Sequence, residues 1–109
     1  NTGRYAIAGA WSIRLGSDGF HVDHLHPRGW LSSAFYVEVP DAVRNAPGRA
    51  GWIQFGRPSW RTKPALAPAH HVRPEPGRLV LFPSYMWHGT EPFTSADARM
   101  TIAFDVVPA

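Results

Sequence analysis

Eleven prolines and ten glycines punctuate a chain of 109 residues, and they limit what it can fold into. Proline breaks helix interiors and glycine weakens them. Between these breaks lie short apolar or alternating runs, which suit many short strands joined by turns and argue against a helical bundle. Such a chain is long enough for one hydrophobic core but not for two.

The runs can be placed in order. Within Tyr5 to Leu15, Trp11, Ile13 and Leu15 alternate with Ser12 and Arg14, as in a half-buried strand. Gly16 to Gly19 is a turn, Phe20 to His26 is extended, and Pro27 to Gly29 turns again. Trp30 to Val39 is a strand with Leu31, Phe35, Val37 and Val39 on one face and Ser32, Ala34, Tyr36 and Glu38 on the other. Asp41 to Ala50 has no apolar period and is expected to be a connection, followed by a short strand from Gly51 to Phe55. Gly56 to Ala69 is proline-rich and is expected to be an ordered surface loop.

His70 to Arg73 is a short strand, and Pro74 to Gly77 turns the chain into the apolar strand Arg78 to Pro83. His88 follows that strand. After a loop from Glu91 to Ala98, the chain closes on Arg99 to Val107. There Met100, Ile102, Phe104 and Val106 face one way, and Arg99, Thr101, Ala103 and Asp105 the other. No helix and no internal repeat is expected. About seven or eight strands in one domain give a sandwich, barrel or jelly roll.

Composition removes several functions. No cysteine means no disulfide, thiolate metal site or thiol nucleophile, and it points to the cytoplasm. No apolar run is long enough for a signal peptide or a membrane span. The net charge of +3 comes with scattered arginines rather than a basic stripe, so a small anionic ligand is expected before nucleic acid. Asn1 begins in mid-pattern without a methionine, so a longer parent protein with an additional N-terminal domain is expected.

Chemistry concentrates in Gly19 to Tyr36, where His21, His24 and His26 fall close together. Side chains two apart share one side of an extended backbone, so His24 and His26 can offer adjacent ligands to one metal ion. His88 is the candidate third ligand if its strand lies beside the first. Imidazole suits iron, zinc, copper and nickel, and three protein ligands leave coordination positions open. Surface or capping histidines would leave the same letters. A competing pair, His21 and Asp23, faces the other way from His24 and His26, and only one pair can lead the site. Arg99 is the second anchor, because a guanidinium facing a barrel interior needs an anion such as a bound dicarboxylate. An outward Arg99 would instead pair with Asp97 or Asp105.

Three segments carry a resemblance: HLHPRGWLSSAFYVEVP, PEPGRLVLFPSYMWHGTEPF and ARMTIAFDV. Together they resemble the 2-oxoglutarate and Fe(II)-dependent oxygenases of bacteria and phages, within the prolyl-hydroxylase-like superfamily. The likeness runs from Trp11 to Val107. It implies an all-β, double-stranded β-helix (a cupin-like jelly roll) over residues 1–109, with His24, His26 and His88 as metal ligands. It also implies Fe(II) as cofactor and 2-oxoglutarate as cosubstrate, its distal carboxylate held by Arg99. Thr101 matches the serine of the Arg-x-Ser pattern in related enzymes, and Tyr36 a tyrosine that bonds the cosubstrate. The wider superfamily has His-x-Asp where this chain has His24 and His26.

The expected activity is hydroxylation of an unidentified substrate with release of succinate and CO2. The expected partners are small molecules, with neither nucleic acid nor membrane. Two rivals remain: a cupin-like three-histidine metal enzyme that uses no 2-oxoglutarate, and a non-catalytic ligand-binding jelly roll. Trp30, Trp60, Tyr85 and Trp87 are candidate pocket walls. Arg57, Arg61 and Lys63 are candidates to meet an acidic substrate.

Overall fold

A computed structural model of the chain describes residues 3–16, 23–60, 63–93 and 97–109. The elements, in order, are β1 (Tyr5–Leu15), β2 (Leu31–Glu38), α1 (Asp41–Arg44), β3 (Ile53–Phe55), β4 (His70–Val72), β5 (Leu79–Pro83), β6 (His88–Thr90) and β7 (Arg99–Pro108). The strands form two antiparallel sheets, one ordered β1-β7-β2-β5 and the other β4-β3-β6. This is the expected all-β jelly roll of the double-stranded β-helix type.

One expectation fails locally. Residues Asp41–Arg44, read as a plain connection, form a single helical turn. Pro40 is extended and its carbonyl accepts from the amides of Val43 and Arg44, while Val43 drops into the core. Four residues are too few to show a helical period, so one buried valine left no signal. The turn before β5 is as its letters predict. The Arg78 amide donates to the Glu75 carbonyl at 3.0 Å. Pro76 and Gly77 occupy the centre, and Gly77 takes the positive φ (83°) that a type II turn requires.

The core lies between the sheets and contains Ala34, Val39, Val43, Ile53, Phe55, Phe82, Phe93 and the ring of Tyr36. Phe55 and Phe82 meet edge to face at 5.0 Å.

The four-stranded sheet turns an unusual face toward that core. On β2, Ser32, Ala34 and Tyr36 are buried while Leu31 is 44% exposed. On β7, Arg99, Thr101 and Asp105 are buried while Ile102 is 41% exposed. The two strands pair so that Tyr36 lies opposite Thr101 and Ser32 opposite Asp105. The inward surface of β2 and β7 is therefore the polar one. No helix among the described residues is long and apolar enough to cross a membrane.

Candidate metal centre

His24 lies outside the named strands but joins β6 through an isolated bridge to His88. Each residue's amide donates to the other's carbonyl at 2.8 Å. In such a pair the two side chains stand on the same side, so the bridge itself sets the His24 and His88 rings together. Their centroids are 4.2 Å apart. Two residues on, the His26 amide donates to the Ser84 carbonyl at 3.0 Å, which holds the segment against the end of β5. The His26 ring lies 5.2 Å from that of His24 and 5.0 Å from that of His88. One ligand nitrogen from each of the three lies within 4.8 Å of the others.

The sequence had His88 reaching the pair by way of the apolar strand before it. That route is different in the structure. β5 pairs with β2, and His88 opens a strand of the other sheet, beside β3. Of the competing pair, only Asp23 lies among the described residues. Asp23 is buried, and its carboxylate accepts from Gln54 Nε2 at 2.8 Å and from Arg57 Nε at 2.6 Å. It serves to tie the incoming segment to β3 and to the loop after it. His21 lies outside the described residues.

Two of the three rings have their tautomer set by acceptors. His88 Nδ1 faces the Met86 carbonyl at 3.1 Å, and His26 Nδ1 faces Asp105 Oδ2 at 2.7 Å. Neither acceptor donates, so in the neutral tautomer of each ring Nδ1 carries the proton and Nε2 the lone pair. Burial pushes the His88 imidazole down to about 4, against a weaker upward pull from the Met86 carbonyl. His24 and His26 lower it further, and Asp105 opposes them. His88 is thus neutral at neutral pH, the form that binds metals.

The same cavity holds the second anchor. It measures about 130 Å³, comparable with the roughly 150 Å³ that accommodates a benzene ring. The three histidines, Tyr36, Arg99 and Thr101 all line it. Arg99 is only 3% exposed. Nη1 donates to the Gly51 carbonyl at 3.0 Å and Nη2 to the Thr90 hydroxyl at 3.4 Å. No ion pair among the described residues includes it. Its Nε and the Thr101 hydroxyl are buried without a hydrogen-bond partner.

Desolvation pulls the guanidinium below its ordinary value, and the Tyr36 phenol beside it opposes the shift. Burial pushes the Tyr36 phenol up, so it stays a neutral donor. The Arg99 cation also lies 5.6 Å from the centre of the Tyr36 ring. A buried cation and an orphaned hydroxyl in one cavity are the complement of a small anion.

The aromatic walls expected around the cavity do not form. Trp30, Trp60 and Tyr85 are exposed, and none of them, nor Trp87, lines the cavity; Trp87 packs edge-on against Trp60 at 5.0 Å. The apolar walls are instead Trp11 and Ile13 of β1, with Ile53 and Phe82. Arg57 is committed to Asp23, Lys63 is exposed, and Arg61 lies outside the described residues. Asp105 pairs with His26 rather than with Arg99. The sequence did place Asp105 on the Arg99 side of its strand, and that parity was the available signal for it.

Fold and cavity together define a double-stranded β-helix with three clustered histidines suited to one metal ion. The chain belongs to the 2OG-Fe(II) oxygenase family, whose sequence model, described as "Putative 2OG-Fe(II) oxygenase", matches residues 9–105. That family uses Fe(II) and 2-oxoglutarate.

Among solved structures, the chain is similar to an oxidoreductase of the 2OG-Fe(II) oxygenase family from Burkholderia pseudomallei. The TM-score is 0.72 at 15% identity, over 97% of this chain and 46% of that one. It is also similar to a prolyl-4-hydroxylase from Pseudomonas putida, with a TM-score of 0.62 at 18% identity, over 92% of this chain and 52% of the other. The chain thus spans about half the length of these proteins. No curated protein matches the sequence at a significant level.

Proposed function

We propose that this chain is a 2-oxoglutarate- and Fe(II)-dependent dioxygenase that hydroxylates its substrate with release of succinate and CO2. His24, His26 and His88 hold Fe(II), and Arg99 pairs with the distal carboxylate of 2-oxoglutarate. The observation that carries this reading is the sharing of one cavity by three imidazoles and a buried guanidinium without an acidic partner. Residues 1–109 act as a single domain in this reading. The lack of cysteine suits the reducing cytoplasm.

When bound, Fe(II) and 2-oxoglutarate supply the oxidising chemistry; the chain supplies placement and exclusion of water. Arg99 offers a planar fork that a carboxylate can meet with two parallel bonds. Thr101 adds a hydroxyl donor directly opposite Tyr36 on the neighbouring strand, and the Tyr36 phenol adds another. The Gly51 carbonyl and Thr90 hold the guanidinium in place before any ligand arrives, which limits the entropy lost on binding. Phe82 packs on the His88 ring at 4.6 Å, and Trp11 and Ile13 close the β1 side, so the reacting region is walled by apolar groups.

The test is succinate formation from 2-oxoglutarate with Fe(II) and oxygen, first without substrate and then with candidate substrates. Slow uncoupled turnover that Arg99→Ala abolishes is expected. Metal-dependent oxygenation that survives Arg99→Ala would assign the chain to three-histidine enzymes that use no 2-oxoglutarate. Failure to retain metal would leave a ligand-binding jelly roll.

A further inference from the structure

Behind the histidine cluster lies a buried chain of polar groups that the proposed reaction does not itself use. Asp105 is 7% exposed and sits on the inward face of β7, in register with Ser32 of β2. Its Oδ2 accepts from His26 Nδ1 at 2.7 Å and its Oδ1 from the Ser32 hydroxyl at 2.8 Å. The Ser32 hydroxyl in turn meets the Ser84 hydroxyl at 2.8 Å. Gly29 seals this row: a Cβ there would stand 2.5 Å from Ser84 Oγ and 3.3 Å from Asp105 Cβ. Both carboxylate oxygens are therefore occupied and the group has little freedom to turn.

We infer that Asp105 is a positioning residue of the metal centre, holding His26 with Nε2 toward the other two imidazoles and returning a negative charge to an all-imidazole ligand set. This rests on the metal-centre reading above. Three neutral imidazoles bring no charge, so a divalent cation held by them, with Arg99 in the same cavity, would exceed a bound dicarboxylate by a single positive unit. Asp105, bonded to the His26 ring, would offset that excess. His88 has its Nδ1 proton on a neutral carbonyl, whereas His26 has its own on a carboxylate. A carboxylate behind an imidazole makes the far nitrogen a stronger donor and fixes its direction. His26 also borders a second cleft, which it lines together with Trp11, Pro27 and Arg28, so packing alone does not enclose its ring. A two-point anchor at Asp105 counters that freedom.

The test uses Co(II) as probe and the full chain. Asp105→Asn keeps the size and an acceptor oxygen but loses the charge. It is expected to weaken Co(II) binding by roughly 10- to 100-fold and to shift the visible ligand-field bands, with the melting temperature of the metal-free protein little changed. Equal Co(II) affinity and identical bands in wild type and Asp105→Asn would overturn the inference while leaving the metal centre intact. No Co(II) binding by the wild type would overturn both this inference and the function proposed above. Imidazole nitrogen shifts of the metal-free wild type, recorded in mildly alkaline buffer, give a measurement independent of any variant's folding. A proton on His26 Nδ1 is expected, and a proton on Nε2 would refute the role of Asp105.

Discussion

The two faces of the four-stranded sheet reverse the usual assignment of polar and apolar surfaces. Its inward face carries Ser32, Tyr36, Arg99, Thr101 and Asp105, all buried. Its outward face carries Leu31, Leu79, Leu81 and Ile102, each more than two-fifths exposed. Burying polar groups costs free energy unless each finds a partner. Several of the inward groups do: the Ser32 hydroxyl donates to Asp105 and meets the Ser84 hydroxyl, and Asp105 also accepts from His26. The exceptions, Arg99 Nε and Thr101 Oγ1, sit together in the histidine cavity. The difference between the faces teaches that the inward polar groups left without a partner gather in one cavity, where the proposed cosubstrate would complete their bonding.

If the inward face is the working one, changes there should dominate every functional measurement. The largest effect is expected for His88→Ala, which removes one of the three proposed metal ligands. Its loss of Co(II) affinity should exceed the roughly 100-fold that a supporting residue commands. Equilibrium titration followed by visible absorption reads this directly.

Arg99→Met comes next. Losing a charged hydrogen-bonded pair with the cosubstrate costs about 3 kcal/mol, or roughly 100-fold in the KM for 2-oxoglutarate. The ligand-free protein should meanwhile be at least as stable as wild type, because a buried cation without a counter-ion has been replaced by an apolar chain. A melting temperature well below wild type would show that Arg99 is structural.

A smaller change is expected at the seal. Gly29→Ala puts a methyl group against Ser84 and Asp105, and overpacking of this kind costs about 1–3 kcal/mol in denaturant unfolding.

Acid should act on the same face. The folded His88 imidazole titrates at about 4 against an ordinary 6.5, so between these values the unfolded chain binds a proton that the folded one does not. Stability of the metal-free protein from this group is complete above 6.5, falls as the pH drops through that window, and levels below about 4. His88→Ala should flatten that part of the profile.

The outward face supplies the smallest effect. Leu81→Ser, at a side chain already 55% exposed, should change stability by under about 1 kcal/mol and leave Co(II) affinity untouched. A large loss of metal binding on that variant would erase the contrast between the faces.

Local chemistry made much of this molecule legible from its letters. Proline and glycine spacing excluded long helices, Pro76 and Gly77 specified their turn, and alternation marked the strands that became β1, β2 and β7. The same alternation separated Arg99, Thr101 and Asp105 from Met100 and Ile102. It could not say which set points inward, because a period of two fixes parity and not direction. Tertiary structure decided that, together with the bridge that sets His88 beside His24, the capture of Asp23 by Arg57 and Gln54, and the seat of Asp105 behind His26. Each of these joins residues far apart in the chain through strand pairing and side-chain bonds, and short-range propensity carries no information about such partners.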